Sequence, residues 1–315
     1  KGPSNGINAI AYSADGSRIA AAFHPFNDSK LTITAIVWSL PDREVIREFP
    51  SDYWHISDLA FSPDGRTLAT TSFDGVALWG VDSGNLVRRL PDQPGEENCL
   101  AFNHDGELLV AGGADHLLHV WDAGTGDELA TLDGHSGSVL SIAFAPNDEY
   151  IVTGSRDKTI RVWDTETFEP VRVLVGHEWA VTSVAVNDDQ IVSGSWDRSV
   201  KMWNGVDSQS EDLLDGHIAQ IASVAFATNG RFFATASWDK TVKLWDLKTR
   251  TAIATLEGHN DPVHGVAFSP DGKLLSSSGW NGKLKLWGVE SRTEVASLVG
   301  HEPDSRVHAV AFDPS

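Results

Sequence analysis

Short runs in which apolar and polar residues alternate recur along the whole chain, each closed by a tryptophan. TIRVW at 159–163 and TVKLW at 241–245 show the form. A period of two sends successive side chains to opposite faces, so these runs predict strands with a buried face. The closing tryptophans are Trp38, Trp79, Trp121, Trp163, Trp203, Trp245 and Trp287, spaced 41, 42, 42, 40, 42 and 42 residues apart. Turn signals punctuate the units: SADG (13–16), SPDG (62–65), NHDG (103–106), TNG (228–230) and SPDG (269–272). No segment carries a helical stripe with caps. Each unit reads as four strands, which in the fourth fall near 138–144, 150–155, 159–163 and 170–174.

Four short strands cannot bury both faces of their sheet alone, but sheets packed radially can. The expected fold is all-β: a seven-bladed β-propeller of four-stranded antiparallel blades. Its repeats span about 1–50, 51–91, 92–133, 134–175, 176–215, 216–257 and 258–299 within one domain, 1–315. A partial repeat follows: GHEPDSRVHAVAFDPS (300–315) matches the start of a unit and supplies one extra strand, an incomplete eighth repeat. The first strand, INAIAY (7–12), has no outer strand before it. The expectation is a seven-bladed ring belonging to a longer chain. An overlaid extra strand and an eight-bladed ring completed by further sequence stay open as alternatives.

Gly-His pairs precede five units, at 134–135, 176–177, 216–217, 258–259 and 300–301, and Trp-Asp stands at 121–122, 163–164 and 245–246. With the turn aspartates, these residues make the chain resemble the WD-repeat (WD40) family over essentially its whole length. The resemblance implies a propeller used mainly as a protein-binding platform. It also implies a buried hydrogen-bond relay in each blade. The matching residues are His135, Thr153, Asp157 and Trp163, then His177, Ser193, Asp197 and Trp203. Next come His217, Thr235, Asp239 and Trp245, then His259, Ser277, Asn281 and Trp287. Each strand offers a second hydroxyl two residues after the Ser or Thr. Units one to three lack Gly-His before the first strand, and unit three has Ala111 in place of the hydroxyl. Unit two is one residue short between Asp74 and Trp79, and unit one has an extended turn, FHPFNDSKLT (23–32). These blades are expected to be less rigid or locally reshaped.

The formal charge of −20 changes the picture of partners. Nucleic acid and anionic membrane surfaces are disfavoured, because both call for a basic footprint. A basic partner would be drawn in by the field of the molecule, although the charge also serves solubility alone. No apolar run approaches the ~20 residues of a membrane helix. Cys99 is the single cysteine, so no internal disulfide can form, which suits a cytoplasmic location. A monomeric domain within a larger protein or complex is expected.

No catalytic residue is assigned. A His, Ser and Asp set could form a triad, but a set repeated in every blade and ending on a core tryptophan lacks an exposed nucleophile. No metal or cofactor is expected: the five Gly-His histidines fall in different units, whereas zinc needs its ligands around one ion. GTGDEL (124–129) is a strand-connecting turn that lacks the Lys and helix of a phosphate loop.

One feature does not look like core. The residue before the turn aspartate is Phe73, Ala114, Arg156, Trp196, Trp238 and Trp280 in successive units. By resemblance, that turn lies on the narrower top face beside the channel, so three consecutive blades would set an indole on one rim. Trp54 and Trp179, each seven residues before the end of a first strand, reach the same face. Asp58 stands where Ser141, Ser183 and Ser223 stand in other units, and resembles the channel-mouth position that contacts a peptide's basic side chain. Either each indole folds flat over its turn, or the patch binds a partner; Trp and Arg are enriched at binding hot spots. The expected function is a non-catalytic protein-interaction scaffold that docks a partner protein or basic peptide on this rim. The alternative is an enzyme or small-ligand binder using the central channel.

Overall fold

The computed structural model describes residues 6–24, 33–40, 42–50, 56–73, 75–90, 97–187, 190–204, 211–214, 216–299 and 306–313. Within them stand seven four-stranded sheets, each a simple antiparallel meander in chain order. They span 6–50, 56–89, 97–132, 139–175, 181–214, 221–256 and 263–299, and are called blades 1 to 7. The fold is an all-β seven-bladed propeller. The fourth blade has strands Val139–Phe144, Tyr150–Ser155, Thr159–Asp164 and Pro170–Val175, within two residues of the expected positions.

Alternation explains why the blades stack. The second strand of each blade is almost wholly buried, the outermost largely exposed. The closing tryptophans of blades 2 to 7 each pack into the apolar face of the blade before them. Trp79 sits with Ala20, Val37 and Phe49 of blade 1, and Trp287 with Ala234, Leu244 and Leu256 of blade 6. The core is therefore a ring of blade-to-blade seams, and burial of apolar area in them is the main stabilising term.

The tight turn between the second and third strands has a fixed form. The residue after the turn aspartate is left-handed in Lys158 (φ 76°), Arg198 (φ 74°) and Lys240 (φ 74°), and in blade 7 it is Gly282 (φ 72°). The aspartate compensates for that strain by accepting hydrogen bonds ahead of it. Asp157 takes the Thr159 N–H at 2.9 Å and the Thr159 hydroxyl at 2.7 Å. The residue before the aspartate is anchored as well. Arg156, Trp196, Trp238 and Trp280 each donate a backbone N–H to a carbonyl of the loop entering the same blade. Four rim side chains thus start from equivalent backbone positions.

Innermost strands are stitched to their neighbours by side chains. Ser141 Oγ accepts the Val184 N–H and Ser183 Oγ accepts the Val224 N–H, both at 3.1 Å. Asp58 makes the same bond from blade 2 to blade 3, where Oδ2 accepts the Leu100 N–H at 3.1 Å.

Candidate functional site

The hydrogen-bond relay of blades 4 to 6 has one chemistry throughout. In blade 4, His135 Nδ1 lies 2.8 Å from Asp157 Oδ2, and His135 Nε2 lies 2.8 Å from Thr153 Oγ1. Trp163 Nε1 donates to the same Thr153 Oγ1 at 3.0 Å. The carboxylate takes the Nδ1 proton, which leaves Nε2 to accept from the hydroxyl while the hydroxyl accepts from the indole. His177, Asp197, Ser193 and Trp203 repeat these bonds in blade 5, and His217, Asp239, Thr235 and Trp245 in blade 6. Burial opposes ionisation of Asp157, Asp197 and Asp239. Hydrogen bonds from the histidine and the following Thr or Ser outweigh it, and hold these carboxyls well below their usual range. The second hydroxyls, Ser155, Ser195 and Ser237, stand apart from the relay and tie down the turn. Each accepts the turn aspartate's N–H and donates to a loop carbonyl.

Blades 7, 2 and 3 show how the relay changes outside blades 4 to 6. In blade 7, His259 Nε2 meets Ser277 Oγ at 2.8 Å and Trp287 Nε1 donates to the same oxygen. With Asn281 in place of aspartate, His259 Nδ1 is buried with no hydrogen-bond partner among the described residues. Burial, with Lys285 nearby, lowers this imidazole to about 4. In blade 2 only the Trp79 to Thr70 bond remains among the described residues, at 3.0 Å. Blade 3 has a substitute that the repeat pattern does not predict. His119, from the third strand, lies 2.9 Å from Asp115 Oδ2 and 3.1 Å from Glu128 Oε1, and stacks on Trp121. The available signal was a histidine two residues before the closing tryptophan, where Arg161, Lys201, Lys243 and Lys285 stand elsewhere. Trp121 Nε1, with Ala111 where other blades have a hydroxyl, is buried without a partner among the described residues.

The relay hydroxyls Thr153, Ser193 and Thr235 are fully buried, and the relay fixes each turn and hence the rim; Asp197 and His217 also line the hollows beside blade 5. Among the described residues no group of three or more His, Cys, Asp or Glu gathers at metal-binding distance. Cys99 is buried.

The rim side chains divide into two groups. Trp238 and Trp280 lie 5.6 Å apart between ring centroids, and His264 stacks on Trp280 at 5.1 Å with planes 10° apart. Arg306 lies over the other end of this cluster, 4.5 Å from the Trp280 ring, and His308 meets His264 edge-on at 4.7 Å. The ring nitrogens Trp238 Nε1, Trp280 Nε1 and His264 Nε2 are buried without partners among the described residues. Burial, then the neighbouring His308 and Arg306, push His264 down to about 3.

Trp196 and Trp179 behave differently. Trp196 is 37 % exposed and Trp179 61 %. Together with Ile218, 82 % exposed, they border an open cleft of about 470 Å³ between blades 5 and 6. Glu178 and Gln220 supply polar edges. A second hollow of about 320 Å³ adjoins it, sharing Glu178, Asp197 and Arg198. Arg156 reaches from blade 4 to within 5.8 Å of the Trp196 ring. Phe73 is exposed on blade 2 and makes no ring contact with this group among the described residues. Trp54, Asp74 and most of the extended turn at 23–32 lie outside the described residues.

Asp58, at the inner strand of blade 2, is half-buried. Its carboxylate accepts the Leu59 and Leu100 N–H groups, and burial pushes it up to about 6 against the pull of those two bonds.

These features place the chain among known proteins. The sequence profile of the WD domain, G-beta repeat (WD40) matches residues 43–78, 84–122, 126–164, 168–204, 208–246 and 250–288. The chain belongs to the WD40 repeat family. Each match begins one to three residues before the outermost strand of one blade and ends in the third strand of the next, so a family repeat straddles a seam. Among relatives, the F-box-like/WD repeat-containing protein TBL1X of Mus musculus is 29% identical over 118 residues, 38% of this chain and 22% of that protein. WD repeat-containing protein 36 of Homo sapiens is 28% identical over 120 residues, 38% of this chain and 12% of that protein. The aligned part thus spans less than a quarter of either relative. The crystal structure of the computationally designed Ika8 protein superposes with a TM-score of 0.85 at 26% identity, covering 99% of this chain and 92% of that one. WD40 propellers generally act as protein-interaction scaffolds. Among the described residues, no helix is long and apolar enough to cross a membrane.

Proposed function

We propose that this propeller is a non-catalytic docking platform that holds an extended basic segment of a partner protein in the rim cleft between blades 5 and 6. The observation that carries the reading is the pair of exposed indoles, Trp179 and Trp196, bordering one cleft with Ile218. Neighbouring exposed aromatic and aliphatic surface of this kind marks an interaction site. The rest of the rim supports the choice of ligand chemistry. Arg306 already covers Trp280, and Arg156 leans over Trp196, so the guanidinium-on-indole arrangement suits this surface. Glu178 at the cleft edge and the net charge of −20 favour a cationic partner over an anionic one. The chain serves as a single propeller unit of a larger protein or complex, in the cytoplasm.

The test is calorimetric titration of an Arg/Lys-rich extended peptide at low salt. Trp179→Ala with Trp196→Ala should weaken binding by roughly 5- to 30-fold, at ~0.5–1 kcal/mol for each of two exposed stacked cations. Equal affinity for a neutral peptide of the same length, or no loss in the double variant, refutes the reading.

A further inference from the structure

Blade 7 meets blade 1 around a further segment: Leu284 of blade 7 and Trp38 of blade 1 both pack against the cluster of Val307, Ile7, Phe23 and Ile36. Residues 306–313 lie between them. Ile7 of blade 1 donates its N–H to the Arg306 carbonyl, and accepts the His308 N–H, both at 2.9 Å. The pairing is parallel, Ile7 opposite Val307. On the other side the segment touches blade 7: a Cβ on Gly265 would come within 3.0 Å of the His308 carbonyl. A Cβ on Gly6 would come within 2.8 Å of the Arg306 carbonyl, so glycine is required for the approach on the blade 1 side. Val307 is buried with Ile7, Phe23 and Ile36. The segment VHAVAF (307–312) corresponds in sequence to VHGVAF (263–268), the innermost strand of blade 7. It occupies the innermost place of a further blade.

Away from the channel, this seam differs from the others. In blade 6 the face that receives the next blade is Val242, Leu244 and Leu256, all at most 4 % exposed. In blade 1 the same positions are Ala35, Val37 and Phe49, at most 1 % exposed. In blade 7 they are Leu284 and Leu286, only partly buried, and Leu298, 48 % exposed. The opposite wall repeats the anomaly. The closing tryptophans of blades 2 to 7 are all buried in the preceding blade, but Trp38 of blade 1 is only partly buried.

We infer that this seam is a receptor for the second, third and fourth strands of one more WD-type blade, added onto the extended segment at 307–312, which is bridged to blade 1 at Val307. The occupant's chemistry follows from the two walls. Its third strand must bring a tryptophan to Leu284, Leu286 and Leu298, as Trp287 is brought to blade 6. Its other face must bring a branched apolar trio to Trp38. The seam thus repeats, with its inner segment in place, the interface formed six times around the ring.

The test fuses a copy of residues 272–299, the remainder of the seventh repeat, after Ser315. Insertion should raise the melting temperature by roughly 5 °C or more. It should also slow amide exchange in the outer strands of blade 7 by about tenfold or more. The same fusion with Ser at the copies of Leu284, Trp287 and Leu298 should give neither effect. Two results overturn the inference. One is an extension that exchanges freely while blade 7 is unchanged. The other is a dimer of the unextended chain, by light scattering, with these strands already protected: the seam would then be an interface between copies.

Discussion

Replacing Thr153 with valine keeps the shape of the side chain and removes one oxygen, so it isolates the worth of the relay. Thr153 Oγ1 serves both Trp163 Nε1, at 3.0 Å, and His135 Nε2, at 2.8 Å, and the residue is fully buried. Valine leaves the indole N–H without an acceptor and the imidazole nitrogen without a donor. An unmet buried polar group costs ~1–3 kcal/mol, so two of them should cost about 3–4 kcal/mol after the gain from an extra buried methyl. Thr153→Ser keeps the hydroxyl that blades 5 and 7 use and loses only a methyl, for roughly 1 kcal/mol. The assay is urea unfolding at pH 7, followed by tryptophan fluorescence, with amide exchange reporting whether blade 4 opens first. The expected order of stability is Thr, then Ser, then Val. If valine proves as stable as threonine and serine is the worst of the three, packing rather than the hydrogen bonds decides, and the relay carries no such weight.

Other outcomes follow from the same geometry. Ala111→Ser should offer Trp121 Nε1 the acceptor it lacks and raise stability by about 1 kcal/mol, again by urea titration; a loss would mean the site is too tight for oxygen. Asp58 is protonated more readily folded than unfolded, so the native state binds the extra proton between its ordinary value near 4 and its folded value of about 6. Stability should therefore fall as pH rises through this window, by about 3 kcal/mol from this group, and Asp58→Asn should abolish that fall. Below the ordinary carboxylate range the opposite sign applies: Asp157, Asp197 and Asp239 hold depressed values, so stability is lost as they are forced to protonate, and thermal melts from pH 5 to pH 2 should steepen accordingly. Gly6→Ala drives a Cβ to 2.8 Å from the Arg306 carbonyl, so limited proteolysis should release the C-terminal segment before any blade is cut.

The repeat was legible in the sequence because it is written in local chemistry. Period-two alternation, a tryptophan about every 42 residues, and aspartate in a turn each act within one blade, and blades are built from neighbouring strands. The relays of blades 4 to 6 were legible for the same reason: His, Ser or Thr, Asp and Trp keep their spacing, so one geometry serves all three. The substitute in blade 3 was not, because His119 reaches Asp115 and Glu128 from another strand position, and the motif that would have flagged it is absent. The rim was only half legible. Trp196, Trp238 and Trp280 have equivalent backbone positions, and the sequence assigns them one role. Their fates depend on the neighbouring blade: His264 and Arg306 cover Trp280 and draw in Trp238, whereas Ile218 leaves Trp196 beside an open cleft. Asp58 reads as a channel-mouth charge in the sequence, and its bond to the Leu100 N–H of the next blade is visible only in the structure. Sequence alone determined the blade, because a blade's contacts are close along the chain. Only the tertiary structure decided which rim side chains stay free and how blade 7 meets blade 1, because both depend on residues that meet across blades.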